Sequence, residues 1–119
     1  DLRRFREMEY AVGTDGTITI ALKDSAGADL SVVGASASWR VYKAVPRRRR
    51  KPWTADAVLT KTTTGGGVAL SAGEAVITIA NADLEGKSGR YMQILQITDN
   101  SGNVTHLGMG ELFLVAAPN

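Results

Sequence analysis

Apolar and polar residues alternate along most of this chain with a period of two, the signature of strands that bury one face. In residues 17–22, Ile18, Ile20 and Leu22 fall on one side and Thr17 and Thr19 on the other. A partner strand is expected directly after it, across 24–29, where Asp24, Gly27 and Asp29 supply turn chemistry. Residues 35–42 repeat the alternation, with Ala35, Ala37, Trp39 and Val41 sharing a face, which places the Trp39 ring in the core. Further strands are expected at 57–62 and 75–79, separated by Gly65, Gly66 and Gly67. No Lys-Ser/Thr pair follows those glycines, so they read as a turn and not as a phosphate cradle.

Residues 81–91 form a turn-rich corner that delivers Tyr91 to the head of a long strand. A tyrosine so placed resembles the tyrosine corner of immunoglobulin-like sandwiches, whose hydroxyl bonds back to upstream main chain. The last two strands, 91–98 and 104–115, flank a short hairpin loop at 99–103. With 9–12 as a first strand, about seven strands follow one another at short spacing and no amphipathic helix appears. The expected fold is an all-β, antiparallel immunoglobulin-like sandwich over 9–117, preceded by an N-terminal arm at 1–8.

The last two strands are apolar on both sides. Tyr91, Leu95 and Ile97 oppose Met92 and Ile94, while Leu107, Met109, Phe113 and Val115 oppose Leu112 and Leu114. A bulge near Gly108 and Gly110 would reconcile part of this by switching the strand's phase. Without one, an outer sheet face is hydrophobic, and Met92, Ile94, Leu112 and Leu114 are the expected contacts to neighbouring subunits. Burying each is worth about 1.5–3 kcal/mol relative to exposure.

Composition narrows the possibilities. At 119 residues there is room for one domain, and 44% hydrophobic with 22% charged residues is ordinary for a folded module. The longest apolar run, 112–117, is far too short for a membrane-spanning helix, and no membrane association is expected. The start at Asp1 is basic but lacks the apolar stretch of a signal peptide. Because it is not a Met, a segment ahead of Asp1 is expected to have been removed or to lie outside this sequence. With no cysteine, disulfides, thiolate zinc sites and a cysteine nucleophile are excluded, which favours assembly in the cytoplasm.

The net charge of +2 hides its distribution. Arg47, Arg48, Arg49, Arg50 and Lys51 form one block within a loop at 46–53 bounded by Pro46 and Pro52, and the remainder of the chain is mildly acidic. Five adjacent cations repel one another and stay extended and solvated unless an anionic surface meets them. With Trp53 available to stack, nucleic acid or an acidic polysaccharide is the alternative partner, though one loop offers little area for specific recognition.

The sole histidine, His106, has no partner identifiable for nucleophilic catalysis and reads as an edge residue. The oxygens of Asp99, Asn100, Ser101 and Asn103, or of Asp24 and Asp29, could face calcium, but their Asp-x-x-Gly spacing is explained by turn geometry. The expectation is therefore no enzyme activity, with no catalytic, cofactor-binding or metal residue assigned. Recognition of a carbohydrate or receptor through the loops is a third, weaker role.

Three stretches carry a family resemblance: residues 58–68, from Val58-Leu59-Thr60-Lys61 to Gly65-Gly66-Gly67-Val68; Asp83-Leu84 through Gly89-Arg90-Tyr91; and residues 96–105 around Asp99-Asn100-Ser101-Gly102-Asn103. Together they are similar to the small immunoglobulin-like virion proteins of tailed bacteriophages, which include the N-terminal domain of phage baseplate upper proteins. The resemblance spans residues 10–115. It implies a structural or adaptor part of a tail, baseplate, neck or head decoration, located in the virion and contacting other virion proteins, copies of itself or a tail or capsid subunit. The basic block at 47–51 departs from the family pattern.

Overall fold

The computed structural model describes residues 2–4, 8–23, 26–29, 32, 34–43, 57–71 and 73–116. They form nine strands and no helix: β1 (Leu2–Arg4), β2 (Met8–Val12), β3 (Gly16–Ala21), β4 (Ser36–Lys43), β5 (Leu59–Thr62), β6 (Val68–Ser71), β7 (Glu74–Ile79), β8 (Gly89–Thr98) and β9 (Val104–Ala116). The larger sheet runs β9-β8-β4-β5, with β1 and β2 both alongside β9, and the smaller runs β3-β7-β6.

Alternation explains which side chains meet between the sheets. Ile18 and Ile20 of β3, Ala75, Ile77 and Ile79 of β7, Trp39 and Val41 of β4, and Leu95 and Ile97 of β8 all enter one buried cluster. Leu84 enters it from the corner after β7. In constant-type immunoglobulin sandwiches the second, fifth and fourth strands share one sheet and the third, sixth and seventh share the other. Here β3, β7 and β6 play the first set and β4, β8 and β9 the second, which makes this an immunoglobulin-like sandwich.

Four expectations are corrected. The sandwich is not wholly antiparallel, because β1 and β2 run parallel to β9, from Leu2 beside Leu107 to Val12 beside Ala116. Residues 2–4, expected in an arm, are an edge strand of the larger sheet. The strand after the 24–29 turn is not the partner of β3, since β4 lies in the other sheet while β3 pairs with β7. Finally, no bulge falls at Gly108 or Gly110: pairing of β8 with β9 runs unshifted from Gly89 and Leu114 to Ile97 and His106, and slips only between Ile97 and Thr98.

The chain crosses between sheets at turns built for it. After β5, Gly66 adopts a left-handed φ of 84° and the amides of Gly66 and Gly67 donate to the carbonyls of Thr63 and Thr62. The turn after β2 and the corner after β7 are tied together where the Asn81 amide donates to Asp15 Oδ1 at 2.7 Å.

Candidate interaction surface

Because β8 and β9 pair without a slip along most of their length, one face of this ribbon lies against the smaller sheet and the other points away from it. Leu112 and Leu114 lie on the inner side, with Tyr91, and are buried in the main core. They are thus not docking residues, which corrects that half of the expectation. Met92 and Ile94 lie on the outer side, where they join Tyr42 of β4 and Met109 of β9 in a second apolar cluster, with Ala57 and Leu107 packed against it.

An antiparallel sheet with one face on the core ordinarily turns polar residues outward. Here an apolar cluster sits between Arg40, opposite Ile94, and Glu111, opposite Met92, and Met92 and Ile94 are already withdrawn from solvent, at 9% and 7% exposure. The rim differs. Val115 and Val104 remain 48% and 53% exposed, and the slip in register puts Val104 opposite Thr98 on the outer side. Arg90 and Glu111 join the ribbon across this face through an ion pair of 2.9 Å. Alternation already places Met109 and Val115 on one face; strand pairing adds Tyr42, and the slip in register adds Val104.

Among the described residues one polar side chain is fully buried inside the sandwich. Gln93 accepts a hydrogen bond at Oε1 from the indole Nε1 of Trp39, at 2.8 Å, and its amide nitrogen lies 3.3 Å from the sulfur of Met8. Gln93 stands two residues after Tyr91, where antibody domains carry the second cysteine of their inter-sheet disulfide. The Tyr91 ring is buried, but among the described residues its hydroxyl makes no hydrogen bond. A tyrosine-to-main-chain bond is made by Tyr10, which donates to the Thr14 carbonyl at 2.8 Å.

Two carboxylates are held by local geometry. Asp83 accepts at Oδ2 from Lys61 Nζ at 2.7 Å and from the Ala80 amide at 2.8 Å. The Lys61 bond first, then the amide, holds its pKa below the usual carboxylate value. Asp99 accepts at Oδ1 from the amides of Ser101 and Asn103, both at 2.9 Å, closing the β8–β9 hairpin. The Asn103 amide is the main cause of its lowered pKa. Oδ1 of Asp99 is thus engaged by the loop itself. Asp29 pairs with Lys23. No group of three or more His, Cys, Asp or Glu side chains suited to a metal ion gathers among the described residues.

Arg47, Arg48, Arg49, Arg50, Lys51 and Trp53 lie outside the described residues. So does the side chain of His106, whose main chain pairs with Ile97. Among the described residues no helix is long and apolar enough to cross a membrane.

No protein-family model matches the chain, and no curated protein matches its sequence. Among solved structures it is similar to the M1 domain from titin, at 10% sequence identity and a TM-score of 0.43, over 98% of this chain and 95% of that one.

Proposed function

We propose that this chain is a non-enzymatic structural module of a tailed-bacteriophage virion, an adaptor that acts through protein–protein contacts. The observation that carries this reading is the apolar cluster of Tyr42, Met92, Ile94 and Met109 on the outer face of the larger sheet, with the exposed Val104 and Val115 near the two ends of β9. A sheet that faces only water has no need of such a face. The setting in a virion comes from the turn and strand motifs at 58–68, 83–91 and 96–105.

The test is to replace Val104 and Val115 together by lysine and to follow both folding and incorporation into particles by mass spectrometry of purified virions. Both side chains are exposed, so the fold should be kept, with stability changing by about 0.5 kcal/mol or less at each site. Loss of incorporation is expected. Unimpaired incorporation would overturn docking through this face, and absence of the wild-type chain from particles would overturn the virion role.

A second reading rests on the five adjacent cations at 47–51 beside Trp53: a module that binds nucleic acid or an acidic polysaccharide. Such binding would weaken steeply with salt, and neutralising the block would flatten the slope, because fewer counterions are released. Failure to bind DNA, RNA or acidic polysaccharide at ~50 mM salt, where electrostatic contacts are strongest, removes it.

A further inference from the structure

Strand β3 pairs with β7 on one side, and among the described residues no strand pairs with its other side. In constant-type immunoglobulin sandwiches the opening strand fills that place, but here β1 and β2 both lie on β9. The register identifies which groups the open edge offers. The Leu22 amide donates to the Gly73 carbonyl at 2.8 Å, in line with the pairs Ile20–Ala75 and Ile18–Ile77. On the far side of β7, the Thr78 amide donates to Gly67 at 2.9 Å. Successive residues of a strand send their amides and carbonyls to opposite edges. Ile18 and Ile20 therefore spend theirs on β7, while Thr17, Thr19 and Ala21 turn theirs outward.

A row of outward amides and carbonyls is matched by another extended backbone, and strand edges are normally guarded against this by charge, proline or a bulge. Residues 16–22 hold no charged residue and no proline, and the pairing of β3 shows no irregularity. Thr17, Thr19 and Ala21 are exposed, and Ile18 and Ile20 are buried toward the core.

We propose that a second copy of this chain occupies this edge, β3 against β3, antiparallel about a twofold axis at Thr19. In that register Thr19 faces Thr19, Thr17 faces Ala21 and Ile18 faces Ile20. Every outward amide and carbonyl of the three exposed residues then meets one from the other copy, and both isoleucines stay on the core side. The contact is self-complementary, as a twofold interface must be. Threonine pairs directly opposite are favourable, and no like charges meet. The two smaller sheets become one continuous sheet.

Sedimentation velocity over a range of concentrations tests this, using the wild-type chain and the variants Thr19→Lys and Thr19→Glu. The wild type should dimerise. Each variant alone places like charges face to face on the axis and should weaken self-association about tenfold or more. An equimolar mixture of the two should restore the dimer, a recovery that simple misfolding would not produce. Hydrogen exchange on the wild type needs no variant: the amides of Thr17, Thr19 and Ala21 should become protected as concentration rises. A wild type that stays monomeric, a dimer unchanged in both variants, or amides whose exchange is independent of concentration would overturn the proposal.

Discussion

The Nε1 of Trp39 donates to the Oε1 of Gln93 at 2.8 Å, across neighbouring strands of the larger sheet, with both side chains wholly buried. Among the described residues the indole N–H and the glutamine Oε1 have only each other as partners. Replacing Gln93 with Leu strands the indole N–H and should cost about 1–3 kcal/mol. Replacing Trp39 with Phe orphans the glutamine oxygen and also leaves a void. The double variant should be more stable than the two losses summed, because it removes both partners at once. Urea denaturation of all four proteins measures this coupling.

Ion pairing at Asp83 gives stability a pH dependence of known sign. Its pKa is held below the ordinary value of 3.8 by Lys61 and the Ala80 amide. Its contribution is therefore fully present above the unfolded-state value and is lost as pH falls through the lower folded-state value. Asp83→Asn should be less stable than wild type near pH 7 by about 1 kcal/mol, and the gap should close in acid. Thermal melts from pH 7 down to about pH 2 would show it.

Gly67 and Lys61 are coupled by space. A Cβ at Gly67 would come within 2.7 Å of Lys61 Cδ and 3.0 Å of its Cβ. Gly67→Ala should displace the lysine stem and loosen the link to Asp83, so its destabilisation, about 1–2 kcal/mol, should shrink when Asp83 is already Asn. A double-mutant cycle by denaturation checks this.

Ile94 lies outside the sandwich yet behaves as a core residue. Truncation to Ala should cost about 2 kcal/mol or more in the isolated chain, within the range for buried aliphatic residues. Val115→Ala on the exposed rim should cost about 0.5 kcal/mol or less. Comparing the two by equilibrium unfolding separates the second apolar cluster, which already serves this chain, from the exposed rim.

Tyr10 ties β2 to the turn that follows it. Tyr10→Phe should lose about 0.5–1.5 kcal/mol with the bond to Thr14. Gly16→Ala should also destabilise, since its Cβ would come within 3.1 Å of the tyrosine hydroxyl and 3.2 Å of its ring. Thermal denaturation of both would rank them.

Where one face of a strand was polar, its place was legible from the residues: the alternation of β3, β4 and β7 put Ile18, Trp39 and Ile77 in the core, and there they are. The ribbon of β8 and β9 was harder, because a strand apolar on both sides does not say which face is inner. Only the pairing of Tyr91 with Leu112 decides that Leu112 lies between the sheets and Ile94 on the outer face. Leu2–Arg4 escaped notice as a strand because its arginines read as a solvated arm, and Val68–Ser71 because four residues carry little periodicity. Which sheet takes β3 is a long-range matter that no local pattern records.

The parallel run of β1 and β2 along β9 has a mechanical consequence. Leu2 lies beside Leu107 and Val12 beside Ala116, so tension drawing Leu2 and Ala116 apart acts along the strands. It would strain the hydrogen bonds of that seam in shear, many at a time, where a hairpin pulled open would give them up singly. A module wired this way resists stretching best when it is pulled along the direction of β1, β2 and β9.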